Sequence, residues 1–290
     1  LTLPFIKCAT SGTYELTVLN SSPSNSCVTN YVIDWGDGTP LETGATFPAT
    51  HTYIEQGIFD LVISASGSNG CSSAEIIEVA FSSSPAGGLS SPGSTVGLCL
   101  PVAPIEFVLT QWGANSIDAV YDIDYGDGMS IQLLQSDLVQ SVYYDAANPA
   151  NSAPYPIPHT YTSSSCPEPF YIVTMLVTTA CGIANFSLFP IQVWNKPDLD
   201  FSVNPEFTCV DFPVNITNNS GGGNAPNPSN SNECTDFASY NWDMGDGTTY
   251  FNVFTPPAHS YANPGEYTIT LSGIHFCGLL DPITQVVCIE

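Results

Sequence analysis

The sequence predicts an all-β chain built as a tandem array, and three observations carry that expectation. A short motif is written three times: Asp34 to Thr39 reads DWGDGT, Asp124 to Met129 reads DYGDGM, and Asp243 to Thr248 reads DMGDGT. Each copy is followed by a His-x-Tyr, at His51/Tyr53, His159/Tyr161 and His259/Tyr261. Repetition of this kind marks one structural unit copied along the chain. The residues leading into each motif alternate, as Tyr31, Ile33 and Trp35, then Tyr121, Ile123 and Tyr125, then Tyr240, Trp242 and Met244. Period two marks a half-buried strand with its large apolar side chains on the core face. Finally, short apolar segments such as Leu16 to Leu19, Leu61 to Ala65, Ile76 to Phe81, Tyr171 to Val177, Phe186 to Val193 and Tyr267 to Leu271 are separated by Ser, Asn, Gly and Pro clusters. None sustains a helical period with capping signals.

Within each copy the alternating strand runs into a glycine-flanked aspartate: Gly36, Asp37 and Gly38; Gly126, Asp127 and Gly128; Gly245, Asp246 and Gly247. After the His-x-Tyr comes an aromatic strand, at Phe59, Tyr171 and Tyr267. These residues resemble the PKD (polycystic kidney disease) domain, an immunoglobulin-like β-sandwich whose hallmark motif is WDFGDG. The leading Trp of that motif is present as Trp242 and replaced by Ile33 and Ile123, apolar swaps at a core position. The resemblance covers nearly the whole chain and implies three tandem immunoglobulin-like sandwiches in a head-to-tail array. Their expected bounds are 1–84, 92–196 with an insertion at 132–158, and 197–290 with a long loop at 220–232 between strands B and C. Domains of ~95 residues fall inside the usual range.

Two lysines, no arginine and 27 acidic residues give a formal charge of −25. That balance excludes nucleic acid as a partner, because nothing is available to neutralise phosphates. It disfavours anionic membranes for the same reason. Acidity either keeps a long exposed fibre soluble or reflects life in salt water, where screening makes self-repulsion tolerable. Both place the protein outside the cell. No segment approaches a membrane span. Leu1 to Lys7 lacks signal-peptide architecture, so the chain is expected to be a mature segment of something longer.

Ten cysteines without a Cys-x-x-Cys pair point to disulfides in an oxidising compartment. The sandwich that the resemblance implies suggests which ends they occupy, since its BC and FG loops share one end and its AB and EF regions the other. On that basis Cys27 pairs with Cys71 and Cys234 with Cys277 at one end of their domains, and Cys99 with Cys166 and Cys209 with Cys288 at the opposite end. Cys8 and Cys181 are left at abutting ends of the first two domains and are expected to bridge them. Such a bridge would restrain the linker Ser82 to Gly93, SSSPAGGLSSPG, otherwise a flexible hinge. The second junction, Trp194 to Asp198, reads WNKPD and is short enough to be stiff.

The repeated histidines are the obvious catalytic candidates, but recurrence at one motif position assigns them a structural corner, analogous to a tyrosine corner. His275, beside Phe276 and Cys277, reads as a loop residue. No serine-hydrolase arrangement, phosphate loop or His-Glu-x-x-His segment is written, so no enzyme is expected. Oxygen-rich turns are raw material for calcium, and Asp122, Asp124 and Asp127 are the weak candidates. The competing reading is ordinary Asp-Gly turn chemistry. No other cofactor is implied.

From Asp37 to His51 is 14 positions and from Asp246 to His259 is 13, against 32 from Asp127 to His159. The inserted stretch offers Tyr143, Tyr144 and Tyr155 either as a contact surface or as packing on its own domain. The Gly/Asn/Ser-rich loop at 220–232 reads as disordered. Resemblance implies a stalk or adhesive segment of a giant surface protein of Bacteroidota, exported by type IX secretion and used in gliding, attachment or predation. Its partners would be neighbouring domains of the same chain, identical chains in a bundle or filament, or a target-cell surface or glycan. Two alternatives stand beside it. One is an accessory module of a secreted hydrolase. The other is a eukaryotic adhesion ectodomain, for which Asn20, Asn185, Asn215 and Asn218 start N-x-Ser/Thr sequons.

Overall fold

The computed structural model describes residues 5–23, 25–68, 70–227, 230–235 and 238–290. They form immunoglobulin-like β-sandwiches in tandem, each with its own core. In the first, a five-stranded sheet runs Phe5–Cys8, Ser72–Ser82, Gly57–Gly67, Val28–Asp34, Glu42–Thr43, and the pair Tyr14–Val18 and Ala49–Tyr53 covers it. In the second, the sheet Ser130–Leu134, Val120–Asp124, Tyr171–Thr179, Gly182–Ile191 packs on Tyr155–His159, Ile105–Thr110, Gly88–Ser90. In the third, Phe207–Thr208, Gly278–Ile289, Gly265–His275, Ala238–Asp243, Thr249–Phe251 packs on Phe201–Asn204, Pro213–Asn218, His259–Ser260.

The strand entering each GDG sits inside its sheet, so its alternation is read directly as burial. Ile33, Ile123 and Trp242 are each at most 1% exposed, and Trp35, Tyr125 and Met244 are buried two residues on. Each large apolar side chain withdrawn in this way contributes roughly 1.5–3 kcal/mol. The three positions of the motif's leading residue are therefore equivalent whether filled by Ile or Trp.

Two expectations about irregular segments are corrected. Gly88–Ser90, inside the Ser/Pro/Gly linker, is a strand paired antiparallel with Ile105–Thr110. The linker is therefore built into the second sandwich rather than free to hinge. The loop at 220–232 is ordered where described: Ala225–Asn227 pairs with Asn230–Thr235, while residues 228 and 229 lie outside the described residues.

The insertion at 132–158 takes the packing alternative. It contributes a strand, one helical turn at Gln135–Leu138 and the strand Tyr155–His159. Tyr143, Tyr144 and Tyr155 are partly buried against the second core: Tyr155 meets Trp112 edge-on at 6.2 Å, Tyr144 lies 6.0 Å from Trp112, and Tyr143 meets Tyr155 at 5.4 Å. The Trp112 indole N–H donates to the Ala153 carbonyl at 3.0 Å, pinning the insertion to the core. Their role as a contact loop is withdrawn, because the rings are spent on this packing. His275 is likewise no loop residue; it ends the strand Gly265–His275, is 4% exposed, and its Nδ1 accepts the Cys277 N–H at 3.1 Å.

Candidate functional site

Two features could carry function: the corner repeated in each copy and the seams between copies. At the corner, the first Asp of each motif folds the turn, with Asp34, Asp124 and Asp243 accepting the N–H of Gly36, Gly126 and Gly245 at 3.0, 2.8 and 2.9 Å. The second Asp holds the far side, with Asp37, Asp127 and Asp246 accepting from Thr39, Met129 and Thr248 at 3.1, 3.1 and 2.9 Å. Its other oxygen meets the histidine: His51 to Asp37 at 2.7 Å, His159 to Asp127 at 2.8 Å, His259 to Asp246 at 2.8 Å. The Tyr53, Tyr161 and Tyr261 hydroxyls each donate at 2.9 Å to the backbone carbonyl of Trp35, Tyr125 and Met244. Each of these tyrosines also stacks on the expected aromatic of the next strand, Phe59, Tyr171 or Tyr267. A constellation copied three times with the same partners fixes a corner of the sandwich.

The glycines explain why the motif is GDG. Gly36, Gly126 and Gly245 have positive φ, and a Cβ on them would lie 2.5, 2.7 and 2.7 Å from the backbone oxygens of Asp60, Ile172 and Thr268. Gly247 has φ +95° but open space around it. Gly247→Ala should therefore cost only the left-handed penalty of roughly 1–2 kcal/mol. Gly245→Ala should cost distinctly more, since backbone must also move. Equal losses in denaturant unfolding of the two variants would remove the close-approach explanation.

Burial pushes the hydroxyls of Tyr53, Tyr161 and Tyr261 well above the ordinary tyrosine value, and the nearby Asp37, Asp127 and Asp246 carboxylates add to the shift. Values raised on folding contribute stability that is full below about pH 10 and lost as pH rises through the folded values. For Asp37 and Asp246, burial pushes upward, but hydrogen bonds from Thr39 and His51, and from Thr248 and His259, outweigh it and leave both below the ordinary carboxylate value. Their contribution is present above about pH 3.9 and lost as pH falls through the folded values. Tyrosinate absorbance from these three rings should thus appear only together with loss of the β-sheet circular dichroism. Ionisation well before that loss would count against their buried, donating role.

The calcium candidates do not converge. The Asp122 carboxylate accepts Gln132 Nε2 at 2.7 Å, Asp124 is committed to Gly126, and Asp127 to Met129 and His159. Among the described residues no group of three or more His, Cys, Asp or Glu is placed to hold a metal ion.

The three disulfides found among the described residues all cross a domain junction. Cys8 joins Cys181, Cys99 joins Cys277 and Cys166 joins Cys234, with Cα separations of 5.7, 5.7 and 5.9 Å. The expected Cys99–Cys166 and Cys234–Cys277 bridges are corrected. Those four residues do sit at the facing ends of the second and third sandwiches, and there each finds its bonding geometry across the seam rather than within its own domain. The expected Cys209–Cys288 bridge is not formed either, both being thiols. Phe207 is the partner opposite Cys288, so Cys209 lies two residues further along. That offset puts the α-carbons about 8 Å apart, beyond bridging reach. Cys27 is also a thiol, which corrects the Cys27–Cys71 bridge. Val28 lies opposite Gly67, and Cys71 stands beyond it next to the returning strand.

Around the bridges the seams are closed by polar groups that sequence reasoning missed. At the first, Ser82 and Ser83 are at most 1% exposed. Ser82 Oγ donates to the Asp118 carboxylate at 2.9 Å, and that carboxylate also accepts the Ala180 N–H at 2.7 Å. Ser116 Oγ accepts the Ser83 N–H at 3.0 Å, Ser83 Oγ accepts the Ser116 N–H at 2.9 Å, and Thr179 Oγ1 donates to the Ser83 carbonyl at 2.8 Å. A buried network with its partners supplied is rigid. At the second seam Trp194, 0% exposed, meets Phe276 edge-on at 6.4 Å. Asn224 donates to Asn195 Oδ1 at 2.8 Å and to Ser164 Oγ at 3.1 Å, and Lys196 Nζ donates to the Leu279 carbonyl at 2.7 Å. The only sequence signal for the first seam is a run of serines, which reads equally well as linker.

The fold and these seams define an array of immunoglobulin-like β-sandwiches coupled end to end. A family model described as PKD domain matches residues 215–284, the part of the third sandwich carrying DMGDGT and His259/Tyr261. No curated protein sequence matches the chain. Among solved structures, the chain is similar to the full three-domain ectodomain of mouse nectin-like molecule 4, at 11% identity and a TM-score of 0.39, over 97% of this chain and 95% of that one. It is similar to a D1–D4 ectodomain fragment of ICAM-5 at 12% identity and a TM-score of 0.36, over 99% and 75%. A calcium-stabilised adhesin with which an Antarctic bacterium binds ice matches at 9% identity and a TM-score of 0.29, over 97% and 70%.

Proposed function

We propose that this chain is a non-catalytic, force-transmitting segment of a large extracellular surface protein or filament used in adhesion. The observation that carries the reading is that, among the described residues, every disulfide bridge joins neighbouring sandwiches. A bridge inside a domain protects that domain, whereas a bridge across a junction removes rotation between domains. Removing rotation matters to a stalk, because slack would otherwise have to be drawn out before tension reached the cell. Disulfides persist in oxidising surroundings, which supports a place outside the cell. The repeated histidines support the non-catalytic reading, since each is bonded to an aspartate and packed at a right angle on the tyrosine two residues on. The setting implied by the resemblance, a Bacteroidota surface filament exported by type IX secretion for attachment, gliding or capture of other cells, belongs to this proposal. Immunogold labelling of intact source cells with antibody against the purified chain tests it. Label along surface fibres is expected, and label that requires permeabilisation would overturn the reading.

A further inference from the structure

Cys8, Cys99 and Cys209 occupy one position in the repeated fold. Each ends or directly follows a short edge strand lying parallel to the last strand of its domain: Phe5–Cys8 on Ser72–Ser82, Leu98–Cys99 on Val193–Trp194, Phe207–Thr208 on Gly278–Ile289. The residue after each cysteine donates its N–H to a carbonyl at the end of that strand, Ala9 to Ser82 at 2.9 Å, Leu100 to Trp194 at 2.8 Å, and Val210 to Glu290, just past Ile289, at 2.9 Å. Two of the three are already bridged to the following sandwich, and in both cases to a cysteine standing directly before the segment that closes that sandwich: Cys181 before Gly182–Ile191, which continues past Gln192 as Val193–Trp194, and Cys277 before Gly278–Ile289. Cys209 is the third member of the set. It is exposed, a thiol, and offset from Cys288 beyond bridging reach. Two large aromatic side chains flank it, Phe207 and Phe212, 59% and 62% exposed. At the second seam the apolar Trp194 is fully buried, meeting Phe276 edge-on.

We propose that this end of the third sandwich is a docking face for a further immunoglobulin-like sandwich, which offers Cys209 a cysteine placed directly before the segment that closes it. The bond forms by oxidation of the two thiols to a disulfide, with two protons and two electrons passing to an external disulfide such as oxidised glutathione. The partner's chemistry is set by the two seams already present, so the array is extensible by one rule. The inference rests on the stalk reading above and specifies what adjoins the stalk.

The test appends a second copy of residues 195–290 after Glu290, because Trp194 and Glu290 hold the same position in the fold. After oxidative refolding with glutathione, peptide mapping without reduction should find Cys209 joined to Cys277 of the appended copy, beside the three bridges of the parent chain. Cys209→Ser should remove that link alone. With the appended copy's own Cys209 replaced by serine, recovery of the parent Cys209 as a thiol in the extended chain would overturn the proposal while leaving the stalk reading standing. Loss of the three parental bridges in the unextended chain would overturn both. A measurement on the unextended chain guards against misfolding of the extension: alkylation should capture Cys209 as a thiol, and a Cys209–Cys288 bridge there would overturn the proposal.

Discussion

Replacing Trp242 by alanine should cost the third sandwich about 3 to 5 kcal/mol, the range for deleting a large aromatic from a packed core. The indole is 1% exposed, meets Phe201 edge-on at 5.2 Å, and donates its N–H to the Val253 carbonyl at 2.9 Å. Truncation would therefore leave a cavity and strip a part-buried carbonyl of its donor at once. Amide exchange in the strand Ala238–Asp243 gives a local readout that the other two sandwiches do not dilute. Protection should fall there first. A near-neutral outcome would mean that Trp242 faces solvent, which a one-residue slip of register would produce.

The double variant Cys99→Ser with Cys277→Ser is the second large effect. The bond spans 178 residues of sequence, and chain-entropy arguments put closure of so long a loop at about 4 to 5 kcal/mol, with the remaining bridges reducing the net gain. More informative than the size is the place of the loss. Cys166–Cys234 still ties the same two sandwiches, so both cores should survive while the seam around Trp194 and Phe276 loosens. Fluorescence quenching of Trp194 should rise well before either domain unfolds. Unfolding of the second or third core in step with that change would place the bond's role inside a domain.

The fold was legible because it is written at short range. Alternation into each GDG names the buried face, the two glycines name the positive-φ turn, and His-x-Tyr names the corner, all within a few residues of one another. Partner choice among the cysteines was not legible in the same way. End assignment placed Cys99 and Cys166 opposite Cys234 and Cys277, yet four thiols gathered at one seam can pair within domains or between them, and only the separation of α-carbons decides. The first linker misled for a related reason. Ser82 and Ser83 look like flexible spacer until Ser116, Asp118 and Thr179 arrive from distant sequence to bond them. Tyr144 and Tyr155 likewise resemble recognition residues in sequence and pack on the core only because Trp112 stands beside them.

Peptide mapping of the oxidised, unreduced chain tests the central claim most directly. Coupling of the sandwiches predicts the cross-linked peptides Cys8–Cys181, Cys99–Cys277 and Cys166–Cys234. Recovery of Cys99 with Cys166 and Cys234 with Cys277 instead would confine those bonds within domains and contradict sandwiches stapled at their joints.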